Sequence, residues 1–501
     1  MTNGLRRRDL RTFQKWGVDQ IYDHEATILA WDMGAGKSVT VLTAMDDLLE
    51  DRVIKKALIV APMLVATATY PDEFLDWKHL NHIDWTLIRA EDDDEDIIAA
   101  YKDGYEMARI AGLSPEEAAK WAGRHRTRAK EWKRIRLVND GAECHIINKE
   151  ALPWLWTYFG KKWPYDMFIV DEASIFKNGK RRTGANDVSI FGAAAKARKF
   201  VKRTVLMTGT PTPKGLRNMW GLGYIADLGE RLGTARTTFE KRWFDKDYMG
   251  WNMEPKAHAQ AEITRKMSDI MFSLDPELYP DLPPVFHKEV KVNLPRKVME
   301  EYRRFRETLV SEAYDVEAVS KGTLAGKLLQ FANGSMYNED GQDIWIHDKK
   351  LDALEDIIEE ANGEPVLVAY NFKFDLTRIR RRFKKAVVFS EGDVRKNKAD
   401  WNAGKIDLLL AHPQSVGHGQ NIQFGGNILV WYGSTFDLEY HQQMNKRLHR
   451  PGQTRPTTIH HIIARGTYDE EILPRLQDRA ATQDSIMAAL RTGMLNLRKA
   501  A

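Results

Sequence analysis

The stretch from Ala26 to Ser38 constrains the fold of this chain more than any other part of its sequence. It begins with an apolar run of strand length, continues through Gly34 and Gly36, and ends where Lys37 opens a segment with helical spacing of apolar residues. A strand, a glycine-containing turn and a helix N-terminus in this order are typical of a phosphate-binding loop. There, backbone N–H groups and the positive helix end face phosphate oxygens, the lysine bridges the terminal phosphates, and the hydroxyl of Ser38 can hold Mg²⁺. The stretch predicts nucleotide hydrolysis.

Two residues that precede the glycines, Trp31 and Gln14, bear on this interpretation. Trp31 stands where the longer form of the pattern begins with a glycine, so an ordinary glycine-rich turn remains an alternative. Gln14 precedes the first predicted strand and could recognise adenine through paired hydrogen bonds from its amide. The alternative for Gln14 is a surface glutamine. Residues elsewhere in the chain must therefore support a nucleotide site.

A pair of acidic residues supplies that support. The apolar run Phe168–Val170 is followed directly by Asp171 and Glu172. A carboxylate at the end of a buried strand is costly unless something pairs with it, and a magnesium ion shared with Ser38 would do so. We expect Asp171 to orient the metal and Glu172 to orient the attacking water, although adjacent acids also occur without any catalytic role.

The composition bounds the class of protein. With 501 residues and 43% hydrophobic content, the chain should form two or more domains with cores of their own. Its 75 Lys and Arg against 71 Asp and Glu permit an anionic partner without demanding one. The single cysteine, Cys144, excludes a disulfide framework and a site with several thiolates, which favours a reducing cytoplasm. No apolar run approaches the roughly 18 residues that a membrane span needs.

Short apolar runs separated by helical segments predict an α/β fold with parallel sheets covered on both faces. Leu282–Val285 contains two prolines and is the strongest structure breaker, so we predict domains over residues 1–283 and 284–501. We expect residues 215–285 and 294–332 to be mostly helical. The runs that read as strands after the phosphate loop are 57–62, 86–88, 145–147, 167–170 and 205–207, then 365–370, 386–389, 406–410, 428–431 and 459–463.

Polar motifs follow several of these strands. Thr208 and Thr210 lie in a sharp turn where their hydroxyls could sense a γ-phosphate, and a simple turn is the alternative. Arg447 and Arg450 are three apart, so on a helix both would project from one face. Their guanidinium groups suit the charge on a transferring phosphoryl group, whereas the alternative is a solvated basic helix end. Histidines 412, 418, 441, 449, 460 and 461 lack metal-ligand spacing and are interpreted as polar contacts.

The first domain contains a predicted insertion from Tyr101 to Arg136. Ser114, Pro115 and two acids begin a helix there, because a capping hydroxyl, a proline and first-turn acids favour a helix N-terminus. The helix is rich in basic residues that spread around its axis. It is either a solvated decoration or an extra contact to DNA phosphates. Its basic residues are Lys120, Arg124, Arg126, Arg128, Lys130, Lys133, Arg134 and Arg136.

In their order, the motifs of this chain resemble those of superfamily 2 helicase-like ATPases. The Asp-Met-Gly-x-Gly-Lys and Arg-x-His-Arg-x-Gly-Gln forms are similar to the SWI/SNF branch, especially to compact members encoded by phages and bacteria. The resemblance implies two RecA-like lobes with helical insertions and an ATP cleft between them. The motifs that carry it are Gln14, Asp32–Ser38, Ala61-Pro62, Asp171–Ala173, Lys177-Asn178, Thr208–Pro211, Gly417–Asn421 and Gln443–Gln453.

The resemblance also implies a function and a set of site residues. We expect ATP and Mg²⁺ as cofactors, duplex DNA as partner, no membrane partner, a monomer, and a location in the cytoplasm of a bacterium or a phage-infected cell. The expected activity is ATP-driven translocation along duplex DNA. One alternative is a single-strand DNA or RNA helicase, and the other is an ATP-gated scaffold. The full set of catalytic residues argues against the scaffold. The expected catalytic residues are Lys37, Asp171, Glu172, Arg447 and Arg450, the nucleotide contacts Gln14, Met33, Gly34, Ala35, Gly36, Lys37, Ser38 and Gly419, and the metal ligands Ser38 and Asp171.

Overall fold

The computed structural model divides the chain into two compact units. One comprises residues 1–31, 36–209 and 218–273, and the other comprises residues 32–35, 210–217 and 274–501. The predicted boundary at residues 283 and 284 stays a prediction, since it adjoins a segment outside the described ranges. The structure describes residues 4–32, 34–177, 179, 189–212, 215–246, 253–274, 282–311, 314, 316–317, 321–338, 340–416 and 421–490.

The first unit is built on a seven-stranded parallel sheet with strand order β3-β4-β2-β5-β6-β1-β9. Its elements in chain order are α1 (Thr12–Asp23), β1 (Ala26–Ala30), α2 (Lys37–Glu50), β2 (Ala57–Ala61), α3 (Tyr70–Asp76), β3 (Trp85–Leu87), α4 (Glu95–Ile110), α5 (Pro115–Val138), β4 (Cys144–Asn148), α6 (Leu152–Phe159), β5 (Met167–Val170), α7 (Ile190–Ala197), β6 (Arg203–Met207), α8 (Met219–Asp227), α9 (Arg236–Trp243), β7 (Phe244–Lys246), β8 (Met253–Pro255), α10 (Ala259–Met267) and β9 (Met271–Ser273).

The central strands of this sheet are apolar on both faces. Every residue of β1, β2 and β5 is buried. Strands with both faces covered read as continuous hydrophobic runs, which is why these three were recognisable from the sequence. The register pairs Ile28 of β1 with Leu206 of β6, and Ile169 of β5 with Val205. The ends of β1, β5 and β6 therefore lie along one edge of the sheet.

Residues 215–285 are not only helical. Besides α8, α9 and α10, this region forms the β7–β8 hairpin and β9, which pairs in parallel with β1. Strand β9 has only three residues, too few to show a period, so the sequence did not reveal it.

The second unit has a six-stranded parallel sheet with strand order β10-β19-β18-β15-β17-β16. Its elements are β10 (Val285–Val292), α11 (Arg296–Thr308), β11 (Val310–Ser311), β12 (Val316–Glu317), α12 (Lys321–Asn333), β13 (Ser335–Tyr337), β14 (Asp343–Trp345), α13 (Lys349–Glu360), β15 (Val366–Ala369), α14 (Lys373–Arg382), β16 (Val387–Val388), α15 (Val394–Asn402), β17 (Leu408–Ala411), α16 (Pro413–Val416), β18 (Ile428–Trp431), α17 (Leu438–Asn445), β19 (Thr457–Ala464) and α18 (Ile472–Leu490).

Two parallel sheets flanked by helices confirm the predicted α/β fold with two RecA-like lobes. Residues 294–332 are mostly helical, as expected, but the helix is interrupted. Helix α11 ends at Thr308, its C-cap Leu309 has a left-handed φ of 65°, and the β11–β12 pair precedes α12. A left-handed residue closes a helix by turning its last N–H back onto an earlier carbonyl. Here the Leu309 N–H donates to the carbonyl of Phe305.

A column of aromatic side chains crosses the sheet of the second unit. The indole of Trp431 stacks on His441 with ring centroids 5.0 Å apart, and His441 stacks on His461 at 5.5 Å. His461 in turn faces His287 of the edge strand β10 at 5.8 Å. We call these four residues the histidine column. It gives two of the predicted polar histidines a packing role.

Candidate nucleotide-binding and catalytic site

The phosphate loop joins β1 to α2 as the sequence predicts. Gly34 has φ +80° and Gly36 has φ +75°, and both values are left-handed. Residues with a Cβ rarely adopt such angles, so both positions require glycine. Gly36 is the N-cap of α2, which starts at Lys37, and its carbonyl accepts a hydrogen bond from the Thr40 N–H. The first N–H groups of α2 thus border the loop, as an anion site requires.

Trp31 holds this loop against the first helix. Its indole is fully buried and meets Phe13 edge to face, with ring centroids 5.8 Å apart. A Cβ on Gly17 would lie 2.3 Å from the same indole, so α1 and Trp31 pack in direct contact only because residue 17 is glycine. The Trp31 carbonyl accepts a hydrogen bond of 3.0 Å from Nζ of Lys37. The residue that departs from the usual pattern therefore supports the loop.

The amide of Gln14 lies against the phosphate loop. A Cβ on Gly36 would sit 2.1 Å from Nε2 of Gln14, which leaves no room for a side chain there. The Gln14 Oε1 accepts a hydrogen bond of 2.8 Å from the N–H of Arg11, and the residue is 7% exposed. The structure thus brings together Gln14 and the loop, and it excludes the alternative of a surface glutamine.

Asp171 lies at the end of β5, within electrostatic reach of Lys37. Burial raises the pKa of Asp171, whereas the positive charge of Lys37 and hydrogen bonds from the Glu172 N–H and the Tyr70 hydroxyl oppose that rise. The Glu172 N–H donates to Oδ1 over 2.9 Å and the Tyr70 hydroxyl donates to Oδ2 over 3.3 Å. A buried carboxylate beside a phosphate loop is the oxygen ligand that Mg²⁺ prefers. The hydroxyl of Ser38, in the first turn of α2, is a second oxygen donor of the kind that Mg²⁺ accepts, and the assignment of both residues to the metal stays a prediction.

Glu172 adopts a strained backbone conformation. Its φ of 52° and ψ of 55° are left-handed, which is uncommon for a residue with a side chain. Such a conformation costs about 1–3 kcal/mol and persists where the surroundings enforce it, often at functional sites. The residue is 8% exposed. The left-handed backbone turns the chain sharply after Asp171 and sets the direction in which the Glu172 side chain leaves it.

Tyr70 is a site residue that the sequence did not reveal. It begins α3, is fully buried, and reaches Asp171 across the sheet edge. Burial and the adjacent negative charge of Asp171 raise the pKa of Tyr70 well above its usual value, so its hydroxyl stays a donor at neutral pH. About a hundred residues separate the two partners in sequence. Contacts at such separations leave no local pattern.

The turn after β6 also reaches this edge. The N–H of Thr208 donates to the carbonyl of Leu29 over 3.1 Å, beside the end of β1. Thr208 and Thr210 are buried. Sensing of the γ-phosphate by their hydroxyls stays a prediction.

The predicted arginine pair lies in the second unit, but not on a helix. Helix α17 ends at Asn445, and both arginines follow in turns. The Arg447 N–H donates to the Met444 carbonyl, and the Arg450 carbonyl accepts from the Gln453 N–H. The side-chain amide of Gln453 then ties the segment to the carbonyls of Gln423 and Gly426, over 2.9 and 3.0 Å. The expectation that helical spacing aligns the two arginines was wrong.

Both arginines are shielded from solvent. Arg447 is 4% exposed, and the guanidinium of Arg450 is surrounded by protein although that residue as a whole is only part-buried. Burial lowers the pKa of Arg450 to about 10, because loss of water disfavours the charged form. Its charge is nevertheless retained at neutral pH.

Of the other predicted contacts, Met33 and Gly419 lie outside the described residues.

Comparison with known proteins decides the family. Residues 12–339 match the SNF2-related domain. This chain belongs to the SNF2-related family. As the motifs predicted, it is a SWI/SNF-type ATPase of superfamily 2 and a DNA-dependent ATPase, and ATP use follows from that membership.

Relatives differ in how much of the chain they share. Putative protein p41 of Acyrthosiphon pisum secondary endosymbiont phage 1 is 35% identical over 496 residues, covering 96% of this chain and 98% of that protein. The bovine (Bos taurus) DNA excision repair protein ERCC-6-like is 24% identical over 233 residues, which is 46% of this chain and 15% of that protein. An uncharacterized ATP-dependent helicase of Mycoplasma pneumoniae is 22% identical over 92% of this chain and 41% of its own length.

Among solved structures, the Sulfolobus solfataricus SWI2/SNF2 ATPase core in complex with dsDNA is similar to this chain. It has 18% sequence identity and a TM-score of 0.41, covering 96% of this chain and 93% of that one. Separately, no helix within the described ranges is long and apolar enough to cross a membrane.

Proposed function

We propose that the SNF2-related chain uses ATP hydrolysis to move along duplex DNA and to remodel DNA or protein–DNA structures. The observation that carries this proposal is the buried Asp171 within electrostatic reach of Lys37 at the phosphate loop. A lysine, a buried carboxylate and the strained Glu172 at one sheet edge are the parts that phosphoryl transfer needs. A chain that served only as an ATP-gated scaffold would not need to retain them.

Each residue has a distinct role in this proposal. Lys37 neutralises the terminal phosphates, and Glu172 orients the attacking water. Ser38 and Asp171 would hold Mg²⁺, which when bound neutralises charge on the phosphates. Arg447 and Arg450 supply positive charge to the transferring phosphoryl group, because planar guanidinium groups match its geometry. We assign residues 1–283 and 284–501 to the two lobes.

Gln14 and the loop backbone complete the nucleotide contacts. The amide of Gln14 is fixed by Arg11 beside Gly36, which suits it to read the adenine edge. Met33, Gly34, Ala35, Gly36 and Gly419 are assigned to the nucleotide by their positions in the motifs. Because phosphate contacts carry no sequence information, we expect DNA binding through the backbone and independent of sequence.

The test is an ATPase assay of the full chain with duplex DNA, single-stranded DNA and RNA as separate activators. Duplex DNA should raise turnover more than either alternative at equal nucleotide concentration. Activation mainly by single strands or by RNA would instead support a helicase of those substrates. Turnover that no nucleic acid changes would support the scaffold.

A further inference from the structure

Helices α4 and α5 form a hairpin inserted between β3 and β4. The hairpin packs closely, since a Cβ on Gly104 of α4 would lie 2.9 Å from the side chain of His125 on α5. Eight basic residues of α5 looked evenly spread in the sequence. In the structure Lys120 pairs with Glu116, the guanidinium of Arg134 lies over the ring of Trp154, and the other six fall into two groups.

The first group is neutralised by the acidic segment that leads into α4. Four basic side chains of α5 each contact a carboxylate there. The pairs are Lys130–Asp92 at 2.8 Å, Arg126–Asp92 at 3.4 Å, Lys133–Asp94 at 2.6 Å and Arg136–Asp96 at 3.4 Å. These cations have partners within the hairpin, so they are poor candidates for binding phosphate.

The second group lies on a different stripe of α5. Within the described residues, neither Arg124 nor Arg128 forms an ion pair, and both are exposed. They lie between Trp121 and Trp132, which are 41% and 65% exposed. Residues three and four apart on a helix are neighbours, so positions 121, 124, 128 and 132 form one stripe. We call this stripe the Trp–Arg face.

Exposed tryptophan needs an explanation, because its large apolar ring is usually buried. Trp132 has no ring contact or cation contact within the described part of the chain, and Trp121 carries the guanidinium of Arg124 at 5.8 Å from its ring centroid. The Trp121 ring also lies beside His125, with ring centroids 5.8 Å apart, so Trp132 presents the more open ring of the two. Two exposed rings and two cations without an ion pair lie along about 16 Å of helix, at 1.5 Å per residue, and make this surface both aromatic and positive.

We propose that the Trp–Arg face binds single-stranded nucleic acid, with the arginines on phosphates and the tryptophans stacked on unpaired bases. Base stacking on aromatic rings and positive charge along the backbone are the two contacts by which proteins bind single strands. A duplex hides its base faces, so the exposed rings favour an unpaired strand, while the unmatched charge favours an anion. This binding goes beyond the proposed translocase activity and does not require hydrolysis.

The first experiment separates the two basic groups by salt dependence. The full chain binds a fluorescent single-stranded oligonucleotide of mixed sequence, and anisotropy is measured over a range of salt concentrations. Each phosphate contact to a single strand contributes about 0.7 to the slope of log affinity against log salt. The double variant Arg124→Ala/Arg128→Ala should flatten that slope by about 1.4, because two contacts are lost.

The matched control is Arg126→Ala/Lys130→Ala, which removes the same charge from the side paired with Asp92. Its salt slope should equal that of the unmodified chain. Equal flattening by both double variants would overturn the proposal, since the effect would then be overall charge. Melting curves confirm that all variants fold.

The second experiment tests the rings. Trp132→Ala should weaken single-strand binding roughly tenfold with no change in salt slope, because stacking is worth on the order of 1–3 kcal/mol per base and releases no counterions. Trp132→Phe should restore most of the affinity. Duplex-stimulated ATPase should stay unchanged in both variants, which separates this proposal from the proposed function. Unaltered affinity in Trp132→Ala would overturn the stacking, and a face that binds no single strand would overturn the whole proposal.

Discussion

At the scale of single residues, the candidate nucleotide site depends on close approaches that only certain side chains permit. Gly17 admits the indole of Trp31, and Gly36 admits the amide of Gln14. In each case a glycine leaves space for a large or polar side chain from another element. A substitution at either glycine should therefore displace the loop even though neither glycine has a functional group.

Lys37→Ala and Glu172→Gln should both stop ATP turnover, but for different reasons. The first removes the charge that neutralises the phosphates, so nucleotide binding should weaken as well. The second removes the group proposed to orient water, so ATP should remain bound and intact. Equilibrium binding of a fluorescent ATP analogue, measured beside steady-state hydrolysis, distinguishes the two. Normal turnover in either variant would contradict the assigned site.

Tyr70→Phe should raise the Mg²⁺ concentration needed for nucleotide binding by about tenfold, because Oδ2 of Asp171 loses a donor worth about 1.5 kcal/mol. The phenyl ring keeps the packing. Tyr165→Phe is the control, since it also removes a buried hydroxyl in the same unit, one that bonds His145 over 2.8 Å. If both variants shift the Mg²⁺ dependence equally, Tyr70 has no special relation to the metal.

Arg450→Ala should lose hydrolysis by a factor on the order of 10³ while ATP affinity changes little, because a finger arginine acts on the transition state. Arg455→Ala serves as a control from the same segment, because the guanidinium of Arg455 forms an ion pair with Glu364 of the second unit. Single-turnover rates of bound ATP provide the measurement. A full-speed Arg450→Ala enzyme would remove the role from this residue.

At the scale of elements, burial decides what the sequence can reveal. Strands β2, β5, β15 and β18 are nearly continuous apolar runs and were predicted within a residue or two. Strand β10 was not, because it lies at the sheet edge and mixes charged with apolar residues.

The same reasoning applies to the site. Lys37, Asp171 and Glu172 belong to short local motifs, which can be recognised from the sequence alone. The roles of Trp31 and Tyr70 arise from packing between distant elements, and the turn that holds Arg447 depends on backbone hydrogen bonds that close after α17. Neither kind of contact produces a spacing in the chain.

The histidine column predicts how the second unit responds to acid. Burial, together with neighbouring histidines, lowers the pKa of His441 to about 4 and of His461 to about 3. Both values lie below that of the unfolded chain, about 6.5, so the neutral rings stabilise the folded state above that pH. As pH falls below 6.5, these two histidines become protonated in the unfolded chain but stay neutral in the folded unit. Stability should then fall by up to about 1.4 kcal/mol per pH unit for each histidine.

Melting temperatures between pH 7 and 5 test this expectation. The variants His441→Gln and His461→Gln should show a shallower decline than the unmodified chain. His258→Gln is the control, because that side chain is 59% exposed and lies outside the column. An equal decline in all four proteins would show that the column does not govern acid sensitivity.

At the scale of the whole molecule, the chain has two units of the same plan. Each contains a parallel sheet, and the phosphate loop belongs to the first sheet while the arginine segment follows the second. With the proposed catalytic residues distributed in this way, hydrolysis would be coupled to motion through two states that differ in affinity for DNA.

The proposed motion predicts displacement of a third strand from a DNA triplex with ATP, without separation of a plain duplex. A translocase that follows the duplex backbone would push off the third strand but leave base pairs closed. Gel analysis of labelled triplex and of labelled duplex in parallel gives the measurement, with Glu172→Gln as the inactive control. Efficient strand separation of the duplex would instead identify a true helicase.

The position of β10 has a consequence for synthesis of the protein. Within the described chain it pairs only with β19, through eight residues from Val285 opposite Thr457 to Val292 opposite Ala464. During translation each residue of β10 therefore leaves the ribosome roughly 170 residues before its partner, a delay on the order of ten to thirty seconds at ordinary elongation rates. Exposed Lys288, Glu289 and Lys291 discourage another nascent chain from pairing with it meanwhile. Because β10 is still an edge strand of the finished sheet, the same three charges also protect that edge after the chain has folded.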